Sequence, residues 1–191
     1  MNVCLYGASS TELAQKFYDE AYALGAILAE RGHTLVYGGG AQGVMGAAAR
    51  GARDRGGRIV GVAPTFFRVD GILFEDCTEF IYTETMQERK KYMMEQSDAF
   101  IMAPGGIGTF EEFFEILTLK QLGRMNPALS IFNVNGYYDP MQQLLEHAVQ
   151  EGFVKSACLK IYRIFDDSAA LVSYLEKFDP TEFDVRHLKN I

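Results

Sequence analysis

The feature that most limits what this chain can fold into is a regular alternation of short apolar runs with segments of helical periodicity. The runs fall at 2–6, 33–37, 58–63, 79–82, 99–103, 128–134 and 159–165. Most are nearly continuous in Val, Ile, Leu, Phe and Ala, the pattern of strands covered on both faces. Between the first two, Leu13, Phe17, Ala21, Leu24 and Leu28 recur at a 3–4 spacing, with Ser10 or Thr11 placed to cap the helix and Gly32 to end it. Further helices are predicted from the glycine cluster 38–46 onward to about 55, over 85–96, from a start at Thr109 and Phe110 to about 122, over 139–150 with Asp139 as cap and Pro140 in the first turn, and from Asp167 or Ser168 to 178. Strand–helix alternation of this kind implies an open parallel sheet with helices on both faces. The expected architecture is α/β, one Rossmann-like domain spanning 1–191, with a polar tail at 179–191 loosely held.

In such sheets ligands sit beyond the carboxyl ends of the strands, and three features of the sequence fall there. The run 99–103 leads into Pro104-Gly-Gly-Ile-Gly-Thr109 and then a helix carrying Glu111 and Glu112. Strand, glycine turn and helix aim free backbone amides at an anion, and the Gly-Lys-Ser/Thr ending of a nucleotide triphosphatase loop is missing. That suits a monophosphate beside a carboxylate; the plain alternative is a capped glycine turn with solvated glutamates. The second feature, Gly38-x-Gly40-x-x-Gly43, matches a dinucleotide fingerprint only formally, because the next strand ends in Gly61-Val-Ala-Pro64 without the acidic residue that grips a ribose. Close backbone approach to a mononucleotide fits it better. The third is the helix 85–96, where Arg89 and Lys90 stand ~100° apart with Met86 and Met93 on neighbouring faces: a phosphate contact beside a base packed on methionine, or a solvated charged face.

A net charge of −7 without a basic run argues against a nucleic-acid surface. No apolar run approaches the ~18 residues of a membrane helix, and the N-terminus lacks the pattern of a secretory signal, so the expectation is a cytoplasmic protein. Cys4, Cys77 and Cys158 are odd in number and far apart, and the histidines are scattered, which is neither a disulfide framework nor a metal-ligand pattern.

Together, Pro104-Gly-Gly-Ile-Gly-Thr-Phe-Glu-Glu112 and Met86-Gln-Glu-Arg-Lys-Lys-Tyr-Met93 resemble the paired signatures of the LOG ("Lonely guy") family, cytokinin riboside 5′-monophosphate phosphoribohydrolases often mislabelled lysine decarboxylases. The likeness runs from Val3-Cys-Leu-Tyr-Gly-Ala-Ser-Ser10 through Val36-Tyr-Gly-Gly-Gly40 and Gly43-Val-Met-Gly46 to the last helix. It implies hydrolysis of the N-glycosidic bond of a purine nucleoside 5′-monophosphate, AMP or an N6-prenylated AMP, to free base and ribose 5-phosphate, with neither cofactor nor metal. It also implies Arg89 and Glu112 as catalytic residues. The substrate would be held by Gly105, Gly106, Gly108 and Thr109 at the phosphate, and by Ala8, Ser9, Gly39, Gly40, Gly43, Met45, Met86 and Lys90 around them. An ionised carboxylate beside C1′ agrees with that chemistry, since cleavage builds positive charge on the sugar.

The chain departs from the family at 65–71, where Asp70 is the nearest counterpart of an acidic residue in a longer loop. The aperiodic segment 64–78 is expected to border the base or a neighbouring subunit. Phe110, Phe113, Phe114, Tyr137 and Tyr138 could form a helical face of a homodimer, the family's habit, or fill the core. A non-catalytic nucleotide or molybdopterin carrier is the alternative function. Lysine decarboxylation is disfavoured, because no lysine stands out as a Schiff-base anchor.

Overall fold

The computed structural model describes residues 1–181; most of the polar tail and His187 lie outside the described residues. Seven strands, β1 (Asn2–Tyr6), β2 (Thr34–Tyr37), β3 (Ile59–Pro64), β4 (Glu79–Thr83), β5 (Ala99–Met102), β6 (Ala128–Phe132) and β7 (Arg163–Phe165), form one parallel sheet in the order β4-β3-β2-β1-β5-β6-β7. The helices are α1 (Gln15–Glu30), α2 (Gly43–Asp54), α3 (Met86–Glu95), α4 (Ile107–Gln121), α5 (Asp139–Gln150) and α6 (Ser168–Lys177). This is the α/β, Rossmann-like architecture that the alternation predicts.

Continuous apolar strands need cover on both faces, and β1 shows it. Val3 and Leu5 pack with Leu24, Leu28, Val44 and Leu171 from α1, α2 and α6. Cys4 and Tyr6 face Met93, Phe113 and Ile116 from α3 and α4. The α1–α2 contact is unusually close, because Gly25 and Gly51 leave room for the other helix's backbone: a Cβ on Gly25 would stand 1.9 Å from the Ala48 carbonyl oxygen, and one on Gly51 2.0 Å from that of Tyr22. The two helices are locked in register, and with them the α2 N-terminus over the sheet.

Four local expectations are corrected. Helix α1 starts at Gln15 with Ala14 as its cap residue and no side-chain cap bond, so neither Ser10 nor Thr11 caps it. Residues 7–14 instead run along the strand ends, held by Ala8 N–H to Pro104 O (3.0 Å) and Met45 N–H to Ala8 O (3.1 Å). The last strand is shorter than 159–165, because Ser156–Lys160 forms a 3₁₀ turn that tucks Cys158 into the core and only Arg163–Phe165 pairs with β6. The sixth ends at Phe132, and Val134 lies in a 3₁₀ turn whose Asn135 adopts φ 54°. Asp139 is inside α5 rather than capping it, and its carboxylate accepts from Asn133 Nδ2 at 2.7 Å. Gly32 with φ 72° does terminate α1, and Asp167 does cap α6.

Of the aromatic set, Phe113 and Tyr138 are core residues, and Phe110 and Phe114 pack against the same core. Tyr137 stays partly exposed and donates through its hydroxyl to Gly105 O, 2.8 Å. Cys4 and Cys77 are free thiols, and Cys158 is buried in the core. Among the described residues no helix is long and apolar enough to cross a membrane.

Candidate active site

The chain winds outward in both directions from the centre of the sheet, so the switch in strand order falls between β1 and β5. A crevice forms at such a point because the connections leaving adjacent strands diverge to opposite faces. Here it is a cavity of about 660 Å³, the size of a small-molecule site. Ala8, Ser9, Gly40, Met45, Met86, Arg89, Gly106, Gly108, Thr109 and Glu112 line it, so most of the residues named from sequence converge on one space.

Two helices point their N-termini into this cavity. In α4, Gly106 is the cap residue without a side-chain cap bond, and Phe110 N–H is the amide that reaches back to Gly106 O (3.0 Å). The amides of Ile107, Gly108 and Thr109 therefore have no intrahelical acceptor and carry the positive end of the helix dipole. Tyr137 and Tyr138 engage the carbonyls of Gly105 and Ala103 through their hydroxyls, each at 2.8 Å. With its carbonyls occupied, the loop presents donors. A Cβ on Gly105 would fall 2.1 Å from Thr109 Oγ1, so this glycine seats the threonine rather than lining the cavity. It borders a smaller cavity of about 240 Å³ behind the loop.

Helix α3 opens on a capping box, Thr85 Oγ1 accepting from Glu88 N–H (3.1 Å) and Glu88 Oε2 from Thr85 N–H (3.2 Å). One turn on, Arg89 is buried. Its Nε donates to Val62 O within β3 (3.0 Å) and its Nη1 to Glu112 Oε1 on α4 (2.6 Å). Burial pushes the Glu112 carboxyl above the ordinary glutamate range, and the Arg89 guanidinium pulls it back. Lys90, the next residue, turns to the outer side of the same seam and pairs with Glu111 and with Glu115, the latter at 2.9 Å. It does not line the cavity. The seam thus has an inner ion pair facing the cavity and an outer cluster facing solvent.

Gly39 and Gly43 also stand behind the lining. With φ of 75° and 63° they make the turn possible, and a Cβ on them would strike Phe80 Cζ at 2.5 Å and Ala8 O at 2.4 Å. Gly38, from the glycine loop read as approaching a mononucleotide, lines the wall; sequence reasoning missed Gly7, Ser10 and Gln42, and named no inward-facing residue in 64–78, where Phe67, Gly71, Ile72 and Leu73 line the cavity. That segment is strapped to the glycine loop by Ala41 N–H to Ile72 O and Phe74 N–H to Gly39 O, both 2.9 Å. Asp70 is exposed and outside the wall. No periodicity announces such a strap, since its inward residues follow from main-chain pairing with a distant loop.

An α/β protein with a cavity at the switch point, amides at a helix N-terminus and a buried arginine–glutamate pair belongs to the nucleotide-handling class of such folds. Residues 45–175 match the family described as "Possible lysine decarboxylase". The chain is 37% identical over 182 residues to cytokinin riboside 5′-monophosphate phosphoribohydrolase LOG2 of Arabidopsis thaliana, covering 95% of this chain and 85% of that one. It is 37% identical over 183 residues to the LOG enzyme of the same name from Oryza sativa subsp. japonica, covering 96% and 75%. Among solved structures, the molybdenum cofactor carrier protein of Chlamydomonas reinhardtii superposes with a TM-score of 0.70 at 20% identity, over 92% of this chain and 96% of that one. The molybdenum cofactor binding protein of Rippkaea orientalis gives 0.69 at 20%, over 92% and 94%; at that identity the likeness is one of fold. The chain belongs to the LOG family.

Proposed function

We propose that this protein hydrolyses the N-glycosidic bond of a purine nucleoside 5′-monophosphate, AMP or an N6-prenylated AMP, releasing the base and ribose 5-phosphate. The observation that carries this reading is the position of Glu112: buried on the cavity wall, 2.6 Å from Arg89, and one turn along α4 from the unbonded amides of its N-terminus. A phosphate on those amides places the ribose within reach of the carboxylate. Breaking the bond from C1′ to the base builds positive charge on the ribose ring, which the Glu112 carboxylate offsets while taking a proton from the water whose oxygen bonds to C1′; the base leaves with the electron pair of the broken bond and takes up a proton from solvent. Arg89 favours the ionised carboxylate and fixes its orientation. The phosphate serves as a handle whose binding orients C1′. Met45, Met86, Phe67, Ile72 and Leu73 form the apolar part of the wall and receive the base. The relatives named above act on cytokinin riboside 5′-monophosphates, which supports the same class of substrate here.

Among the described residues the wall contains no lysine, and Lys90 is committed to Glu111 and Glu115. A pyridoxal-type Schiff base therefore has no anchor, and the family's older description does not suit this site. A carrier has no evident use for a buried carboxylate beside the sugar. We also read the protein as a homodimer, a reading supported by Leu144 and Phe153, 64% and 85% exposed on and just beyond α5; light scattering tests it.

The test is incubation with AMP and N6-prenylated AMP, with free base measured by chromatography. Release by the wild type and its loss in Glu112→Ala is the expected result. No release from any nucleoside monophosphate, or undiminished release by Glu112→Ala, overturns the proposal; stoichiometric retention of a cofactor without turnover indicates a carrier.

A further inference from the structure

The Arg89 guanidinium has three nitrogens, and two are accounted for by Val62 O and Glu112 Oε1. The third, Nη2, lies against the backbone of Gly38, the residue that follows β2. A Cβ built on Gly38 would stand 2.1 Å from Nη2 and 3.3 Å from Cζ, with Met45 Sδ next at 3.2 Å. Gly38 is buried and lines the cavity. Its backbone is not in the left-handed region, unlike its neighbour Gly39 at φ 75°. Backbone conformation therefore does not demand a glycine at 38; the arginine does. Arg89 in turn is enclosed, 6% exposed, and cannot retreat without giving up a bond to Val62 or to Glu112.

We propose that Gly38 is a positioning residue: it is the seat against which Arg89 is held so that the guanidinium meets Glu112. Resting on the hydrolase reading above, the inference assigns the first glycine of the cluster to the catalytic pair, while Gly39 and Gly43 serve the turn. The colliding atom is the end of a side chain rather than backbone, so a methyl group at 38 leaves the sheet intact and moves the arginine.

The experiment compares wild type with Gly38→Ala by ¹³C NMR titration of the Glu112 carboxyl, assigned with Glu112→Gln. Arg89 lowers the Glu112 midpoint, so displacing it is expected to raise the midpoint in Gly38→Ala; an unchanged midpoint overturns the proposal. In the same variant, base release is expected to fall about 100-fold, the cost of an ångström-scale misplacement of a catalytic group. Arg89→Lys, which has no Nη2, is expected to cost far less in the Gly38→Ala background than in wild type, and equal costs overturn the seat. Should Gly38→Ala not fold, adding Arg89→Met is expected to restore folding, and failure to do so counts against the proposal. If wild type releases no base, the hydrolase reading falls while the carboxyl titration still decides the role of Gly38.

Discussion

Arg89 and Glu112 meet at 2.6 Å across the seam between α3 and α4, with 8% and 12% of their side chains exposed. An ion pair so little hydrated is held together by geometry as much as by charge, and removing one member leaves the other without its partner. Glu112→Gln keeps the shape and removes the charge. Initial rates of base release are expected to fall about 100-fold or more, with the far-ultraviolet circular dichroism unchanged. A loss of only a few-fold would take Glu112 out of the chemistry.

The same pair sets a pH dependence. Burial raises the Glu112 carboxyl above its ordinary value of 4.5, and Arg89 opposes the rise. If the ionised form works, activity is lost as pH falls through a midpoint above the usual glutamate range. Arg89→Met removes the opposing influence, so the acid limb of kcat/KM is expected to move to higher pH. A limb that stays in place, or moves down, contradicts the coupling.

The glycine loop before α4 separates the proposed phosphate binding from stability. A Cβ on Gly106 or Gly108 meets nothing within 4 Å, whereas one on Gly105 collides with Thr109. Gly108→Ala, in the first turn of α4, is expected to leave the melting temperature unchanged or raised, since alanine favours helix by about 1 kcal/mol. Its KM for a nucleoside monophosphate is expected to rise several-fold. Gly105→Ala is expected to lose about 1–3 kcal/mol of stability through the forced shift of Thr109. Adenosine, lacking the phosphate handle, is expected to show no turnover.

Gly25→Ala addresses the scaffold. The new methyl would stand 1.9 Å from the Ala48 carbonyl oxygen, an atom of helix backbone that cannot rotate away. Overpacking of this kind costs about 1–3 kcal/mol or more, visible as a lower midpoint in urea. Because the shift is transmitted to α2, base release is expected to fall as well.

Lys120 supplies a prediction far from the cavity. It is 1% exposed, donates to Pro127 O at 2.6 Å and lies 4.6 Å from the Phe178 ring. Burial, with Arg163 assisting, lowers its pKa from 10.5 to about 8. Below pH 8 both folded and unfolded chains carry the proton, and the cost of burying the charge is fully present. Between pH 8 and 10.5 the folded protein sheds a proton that the unfolded chain keeps, so stability rises there. The difference in melting temperature between wild type and Lys120→Met is therefore expected to move in favour of wild type over that window. A difference independent of pH would contradict it.

The parts of the fold legible in the sequence are those that periodicity controls. Seven apolar runs become seven parallel strands, and the Pro104–Thr109 turn becomes a helix start at the switch point. Glu112 rather than Glu111 faces the cavity, a step of one residue around α4. The division between Arg89 and Lys90 was harder to see, because α3 has little apolar asymmetry. Only Met93, four residues beyond Arg89 and buried with it, marks the inner face. What escaped the reading depends on main-chain contacts between distant segments. Ser10 and Thr11 look like caps, yet the segment 7–14 is drawn along the sheet by bonds to Pro104 and Met45. The roles of Gly38, Gly39 and Gly43 differ in backbone φ and in what would meet a Cβ, neither of which a pattern of residue types encodes.

The strap over the cavity is fastened at residues 39–41 and 72–74 by main-chain hydrogen bonds, with the Phe74 side chain buried in the core behind them. Bonds between peptide groups do not depend on side-chain identity, so substitutions along 65–71 that spare the stacking of Arg68 on Tyr82 reshape this wall of the cavity while the main-chain anchors persist. The opposite wall, with Arg89 and Glu112, belongs to α3 and α4 and is unaffected by such drift. On the function proposed above, the architecture lets selection retune which base is accepted while the Arg89–Glu112 pair stays fixed, and new preferences are reachable by changes confined to one short loop.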